Sequence, residues 1–302
     1  MAMTGEPGLS LVPPRASRLS GVARALALLL ALTKPRVTAL VVFTFAFGAA
    51  MAPGRAAPGA LALSALGTLL VVAAANTLNM WWERDTDAKM ARTRGRPLAT
   101  GALSPRVALA WGLGLFGASM PLLGAANARV AAVGALAFAT YVFVYTPLKR
   151  RTWHSLSLGA LAGAAPPLMG WAAVTGSLDA GALALFAVLF VWQLPHSTAI
   201  SLFRAEEYAA AGLRVCSVEL GTRAAVRVTV GTSVVLVALS GAPYALGLGG
   251  ARYALAAAVL GAGFLGVEAR RAAIPATWGR RVFGASIAYQ VLLFGALWLD
   301  RT

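Results

Sequence analysis

Long apolar runs alternate along this chain with short polar intervals, and nine of the runs, at 36–53, 58–82, 105–124, 128–146, 155–176, 180–203, 224–244, 250–268 and 281–299, are long enough to cross a bilayer. Crossing roughly 30 Å of hydrocarbon at about 1.5 Å per residue takes close to twenty residues. Hydrocarbon offers no partner to open backbone groups, and none of these runs shows the two-residue alternation of a barrel strand, so helices are the only consistent reading. The pattern predicts an all-α polytopic membrane helical bundle of nine transmembrane helices. An earlier apolar stretch, Val22 to Leu32, is too short to span and reads as an interfacial helix. Pro166 and Pro167 in the fifth run and Pro195 in the sixth are expected to break or kink their helices.

Composition fits that solvent: of 302 residues 59% are hydrophobic and 12% charged. A net charge of +16 raises the question of nucleic acid. The basic residues lie scattered between apolar runs, not in one stripe, so no nucleic-acid partner is expected. Assigned to the nearest inter-span segment, 22 of the 26 Lys and Arg fall on alternate segments beginning with the N-terminal tail, and 4 on the others. The positive-inside rule then puts the N-terminus in the cytoplasm and the C-terminus outside. No interval is long enough for a soluble domain, and residues 1–302 read as one membrane-embedded domain, with 1–35 a cytoplasmic tail and interfacial helix. The polar start is not read as a signal peptide. The single cysteine, Cys216, excludes an internal disulfide.

Three polar clusters stand out against this background. At the end of the second run Asn79, Glu83 and Asp87 are spaced by four, which lines them along one helical face over two turns. Hard oxygen ligands on one face suit Mg²⁺, which takes one or two carboxylates and completes its shell with phosphate and water. Arg92, Arg94 and Arg96 follow, able to bind the same phosphate oxygens. The plainer alternative is a solvated loop of paired charges, but Asn79 lies deep in an apolar run, where an unpaired amide is costly. The second cluster is Tyr145 with Lys149, Arg150, Arg151 and Thr152, followed by His154; three adjacent cations either grip an anion or serve only as a topogenic signal. The third places Gln193 and His196 inside the sixth run, with Arg204, Glu206, Glu207 and Tyr208 after it. Intramembrane Gln and His point to a cavity or to a helix-to-helix hydrogen bond, and the acidic pair to a second metal position or to a solvated loop.

Taken together, the three clusters resemble the UbiA superfamily of intramembrane prenyltransferases. Asn79, Glu83 and Asp87 fit its first Asn/Asp-rich motif. Arg92-Thr93 to Arg96-Pro97-Leu98, the run from Tyr145 to Thr152, and Trp192-Gln193 with Pro195-His196 are similar to its protohaem IX farnesyltransferase branch, the haem O synthases. The resemblance extends from about Leu32-Thr-Lys-Pro-Arg-Val37 to Gly212 and more weakly beyond. It implies nine helices around a lipid-open cavity and a Mg²⁺-dependent enzyme that moves a farnesyl group from farnesyl diphosphate to a vinyl group of haem B, giving haem O. It further implies Asn79, Glu83 and Asp87 as metal–diphosphate ligands, and Arg92, Arg96, Lys149 and Arg150 as diphosphate contacts. Tyr145, Gln193, His196, Glu206 and Glu207 become substrate-binding candidates, with His196 in the haem pocket. A bacterial-type inner membrane is the implied location, and haem A synthase or terminal oxidase assembly factors are candidate partners.

The sequence departs from that pattern at Ala205-Glu206-Glu207-Tyr208, where Glu-Asp-Tyr is usual, at Ser197, where an aromatic commonly follows Pro-His, and at His154, where Asn is usual. These changes fall in the second acidic motif and the acceptor pocket. A sister prenyltransferase with a quinone-ring or chlorin acceptor is therefore the nearest alternative. A non-catalytic haem transporter or assembly factor is the other, but it has no need of three oxygen ligands on one helical face beside arginines.

Overall fold

A computed structural model describes residues 21–270 and 274–302. Most of the predicted cytoplasmic tail, residues 1–20, lies outside the described residues. In chain order the helices are α1 Gly21–Leu32, α2 Pro35–Met51, α3 Pro58–Asp87, α4 Pro105–Ala126 and α5 Ala128–Ala139. The last of these runs on through a π-helical stretch, Thr140–Tyr145, into α6 Thr146–Leu148. Then come α7 Ser155–Thr175, α8 Ala180–Phe203, α9 Ala205–Ala210, α10 Cys216–Glu219, α11 Thr222–Leu239, α12 Ala242–Ala245, α13 Ala251–Ala269 and α14 Pro275–Leu299. Among the described residues there is no strand, only an isolated bridge between Gly249 and Arg301. Eight helices are long and apolar enough to cross a membrane, and α1 with α2, bent by 51° at their junction, adds a ninth span. Large apolar side chains such as Leu40, Leu136, Leu255 and Val291 stand more than 60% exposed on these helices, an arrangement only lipid tolerates.

Helix ends follow local chemistry. Proline at the first turn opens α2, α3, α4 and α14, where its missing N–H is no loss. Asp179 caps α8, accepting from the Gly181 and Ala182 amides at 3.0 and 3.2 Å, and it also accepts from the buried Trp171 indole. Asn127 caps α5 through the Val130 amide and ties α5 to α7 through the Ala172 carbonyl at 2.7 Å.

Of the break or kink expected at the prolines, no break occurs. Pro166 and Pro167 sit buried inside a continuous α7, and Pro195 inside a continuous α8. Each removes one backbone bond, and close packing by a neighbouring helix holds the helix together around the gap. Here α2 lies so close that a Cβ on Gly48 would stand 2.2 Å from the Pro167 carbonyl oxygen, and one on Gly170 would stand 1.9 Å from that of Phe45. Such small-residue contacts are how membrane helices approach. Gly170→Ala is therefore expected to push α2 from α7 and lower stability by about 1–3 kcal/mol, measured as a fall in the thermal midpoint of the purified protein; an unchanged midpoint would refute the close approach.

Candidate active site

The long helix α3 sets the site. Running to Asp87, five residues past the predicted end of its span, it presents Asn79, Glu83 and Asp87 on one buried face, all lining a cavity of about 560 Å³. Asp85 points the other way, exposed beside Arg84. Each of the three buried oxygen groups is met by a cation from another segment. Arg96 reaches both Asp87 oxygens, at 2.8 and 2.7 Å, and Lys149 donates to Glu83 Oε1 at 2.8 Å. Lys34 donates to Asn79 Oδ1 at 2.9 Å.

Asn79 is held in one orientation. The Thr146 hydroxyl donates to the Tyr141 carbonyl, so its oxygen accepts from Asn79 Nδ2 at 3.1 Å, and Oδ1 is left facing the cations. Burial works against the charge on Lys149, yet the adjacent Glu83 carboxylate raises its pKa well above the ordinary lysine value. The Lys149 ammonium also lies 4.4 Å from the Tyr145 ring centre.

Lys34 was not singled out in the sequence. It occupies the bend between α1 and α2, and among the described residues it is the only non-glycine with positive φ, at 49°. Pro35 after it disfavours the right-handed helical region, and the bend it creates turns the side chain into the cavity. The bend is braced, since Thr38 Oγ1 and Asn76 Nδ2 both donate to the Thr33 carbonyl. A lysine directly before proline, between two apolar helices, was the signal available.

The polar cavity is lined by four cations, Lys34, Arg92, Arg96 and Lys149, against two carboxylates, Glu83 and Asp87. It is built to hold an anion. A second cavity of about 310 Å³, lined mostly by apolar side chains of α2, α3, α5, α7 and α8, shares Val37, Asn76, Tyr141, Tyr145, Leu156 and Ser197 with the first. The two adjoin along these shared residues, a charged head beside an apolar shaft. The π-helical stretch, a wider turn frequent at functional sites, carries Tyr141 and Tyr145 at the junction, their rings 5.1 Å apart. Exposed Val37 and Leu40 on α2 also line the shaft, opening it to lipid.

Not every predicted residue joins this space. Arg150 is exposed and donates to Thr86 Oγ1 of α3, and neither residue lines the cavity. Gln193 lines the shaft but spends its amide hydrogens on the Ala160 and Leu189 carbonyls. His196 lines neither cavity; its Nδ1 lies 2.9 Å from Ser286 Oγ on α14. Glu206 is exposed on α9. Glu207 accepts from the Arg92 amide at 3.2 Å and pairs with Arg204 at 2.8 Å. No group of three or more His, Cys, Asp or Glu gathers among the described residues, so a metal here relies on Asn79 beside the two acids. Buried, hard and on one face, Asn79, Glu83 and Asp87 fit a small divalent cation that shares its shell with phosphate.

Glu207 staples the segment after α3 to α9. The Arg92 N–H, aided by Arg204, holds its carboxyl below the ordinary glutamate range. Because the folded value lies below the unfolded one, the staple is present above the ordinary range and lost as pH falls through the depressed value. Glu207→Ala is expected to speed hydrogen exchange of the Arg92 amide at neutral pH, with the wild type approaching the variant in acid; equal rates at neutral pH would refute the staple.

Known proteins resemble this chain in both sequence and fold. Residues 40–297 match the UbiA prenyltransferase family. A protoheme IX farnesyltransferase of Sorangium cellulosum is 52% identical over 80% of this chain and 87% of its own, and one of Anaeromyxobacter sp. is 47% identical over 90% and 92%. The protoheme IX farnesyltransferase of Myxococcus xanthus is 45% identical over 90% and 94%. Among solved structures, a digeranylgeranylglyceryl phosphate synthase shares the fold with a TM-score of 0.79 at 15% identity, covering 91% of this chain and 98% of its own. A UbiA homolog from Archaeoglobus fulgidus bound to GPP and Mg²⁺ shares it with a TM-score of 0.65 at 18% identity, covering 89% and 99%.

Proposed function

Because the chain belongs to the UbiA prenyltransferase family, a family of multi-pass membrane proteins, we propose that it transfers the farnesyl group of farnesyl diphosphate to a vinyl group of haem B. The products are haem O and diphosphate. The observation that carries this reading is the adjacency of the two cavities: a cationic chamber with carboxylates shares its wall with an apolar shaft, matching an anionic head on a long apolar chain. The acceptor comes from the protoheme IX farnesyltransferases, 39–52% identical over most of the chain.

In this reading Asn79, Glu83 and Asp87 hold Mg²⁺, and Arg92, Arg96, Lys149 and Lys34 contact the diphosphate. Bound there, the ion neutralises charge on the departing diphosphate. Lys34, Lys149 and Arg96, already in place before reaction, stabilise that charge without reorganising. The allylic carbon–oxygen bond breaks with its electron pair leaving on diphosphate, and the farnesyl cation is faced by Tyr141 and Tyr145. A vinyl carbon of haem B attacks the cation, and water adds to the resulting centre with loss of a proton. Apolar shaft walls keep other water away until then. Arg150 and Glu207 act from outside the cavity, in holding the loops.

We also read residues 1–302 as a single membrane-embedded domain in a bacterial-type inner membrane, with the N-terminus cytoplasmic. Support comes from the basic loops: Arg92 bonds Glu207, and the Arg214 amide donates to the Lys149 carbonyl, so three basic segments gather at one end of the bundle. Haem A synthase or an oxidase assembly factor would take the product there.

The test is an assay in liposomes with haem B, farnesyl diphosphate and Mg²⁺, products read by mass. Haem O that disappears on chelation is expected. A chain that consumes farnesyl diphosphate only with a quinone-ring or chlorin acceptor would overturn the haem assignment.

A further inference from the structure

The two cavities meet at a serine to which the chemistry above gives no role. Of the residues lining both, the polar ones are Asn76 on α3, Tyr141 and Tyr145 on the π-helical stretch, and Ser197 on α8. The Asn76 amide hydrogens are spent on the Thr33 carbonyl and Thr38 Oγ1, and the Tyr145 ring lies between that of Tyr141 and the Lys149 ammonium. Ser197 is half-buried, and its hydroxyl makes no hydrogen bond among the described residues.

Other hydroxyls of this bundle are not left so. A serine or threonine inside a helix commonly turns its proton back on a carbonyl three or four residues earlier. Thr77, Thr229, Thr232 and Ser240 all do so at 2.7 to 2.9 Å, and Ser201, one turn after Ser197, bonds the Thr198 carbonyl. Thr198 repeats the exception. It is 0% exposed, it lines the charged cavity, and its Oγ1 has no partner among the described residues. An unpaired buried hydroxyl is costly, and a hydrogen-bonding guest offsets that cost. Successive residues of α8 thus place two unspent hydroxyls on the wall of the chamber, the first of them also on the wall of the shaft. An ordered water needs about two to four polar partners. The shared wall offers the Ser197 hydroxyl, two phenols and Asn76 Oδ1.

From this placement we infer that Ser197 holds the water that completes the reaction and passes its proton toward the diphosphate. The inference rests on the haem reading above and deepens it. Bond formation at the end of the vinyl group leaves a cation on the carbon next to the porphyrin ring. The water oxygen makes the new carbon–oxygen bond with its own lone pair. Its proton goes to Ser197 Oγ as the serine proton moves on to an oxygen of the released diphosphate, so the step balances with no further reactant. A hydroxyl suits this relay because it donates and accepts at one atom, and Ser197 borders both the shaft and the chamber. Where no water is held, the cation instead loses a proton from the neighbouring methylene, and the product is an alkene one water lighter than haem O.

The test compares two variants of one shape. Ser197→Thr keeps a hydroxyl, and Ser197→Val puts a methyl in its place. The full chain in liposomes is given haem B, farnesyl diphosphate and Mg²⁺, and haem products are read by mass per diphosphate released, so that a changed rate of ionisation does not enter the ratio. In Ser197→Val the ratio of alkene to haem O should rise by about tenfold or more. Ser197→Thr should keep the wild-type ratio. Ser197→Ala, which adds no bulk, should shift the ratio as valine does. An unchanged ratio in the valine and alanine variants, or an equal rise with threonine and valine, would overturn the inference. Haem O from the wild type with such a result leaves the activity standing and removes Ser197 from it. Diphosphate release without any haem product from the wild type overturns the haem reading, and the role of Ser197 with it.

Discussion

Replacing Asp87 with Asn is expected to cut haem O formation by on the order of a thousandfold while leaving a folded protein. Asp87 is 1% exposed, and both its oxygens face Arg96. The amide keeps the shape but loses the negative charge, and it replaces one acceptor by a donor aimed at a guanidinium. Two elements of the chamber fail at once, one ligand of the divalent ion and the alignment of a diphosphate contact. Folding is spared because Thr93 Oγ1 bonds the Asp87 main-chain carbonyl, which the substitution leaves in place. Turnover in liposomes and the thermal midpoint, measured together, check both halves. Full turnover in a folded variant would remove Asp87 from the metal–diphosphate site.

Lys34→Met is expected to lower kcat/KM for farnesyl diphosphate by roughly a hundredfold, as loss of one preorganised cation at a developing oxyanion does. A half-buried lysine amine held in a left-handed bend before proline, braced from Thr38 and Asn76, is already aimed at the space where phosphate oxygens would lie. Methionine fills the same volume without charge, so packing alone does not account for a loss. Lys34→Arg restores charge and should recover part of the rate. The salt dependence of inhibition by inorganic diphosphate should flatten in Lys34→Met and not in Lys34→Arg. If methionine and arginine variants behave alike, Lys34 serves only the bend.

The fold was legible because span length and period-3.6 surfaces are local properties. All nine predicted runs coincide with helices, and the largest discrepancies are at α3, which extends to Asp87, and α14, which begins at Pro275. Asn79, Glu83 and Asp87 were legible for the same reason: a spacing of four on one helix needs no tertiary information. Lys34 was not, because its importance arises from a 51° bend that brings α1 and α2 over the end of α3. Arg150 and Lys149 are neighbours in sequence, yet one faces Glu83 inside the chamber and the other Thr86 outside it. Helix azimuth at a loop boundary decided that, and charge counting could not. His196 and Gln193 were grouped as intramembrane polar residues, but three positions on a helix separate their directions by about 60°, enough to put one toward the shaft and the other toward α14. Whether a proline breaks its helix was not legible, because that depends on what packs around it, and α2 packs on α7 at backbone distance.

The central claim is that the charged chamber holds the diphosphate among Lys34, Arg96, Lys149 and the Asn79–Glu83–Asp87 face, with the prenyl chain in the adjoining shaft. A structure of the full chain with Mg²⁺ and a non-hydrolysable thiodiphosphate analogue of farnesyl diphosphate tests it most directly. The expected result is phosphate density within hydrogen-bond reach of Lys34 and Lys149, a metal on Asn79, Glu83 and Asp87, and the chain passing Tyr141 and Tyr145 toward Met169. Diphosphate held elsewhere would contradict it.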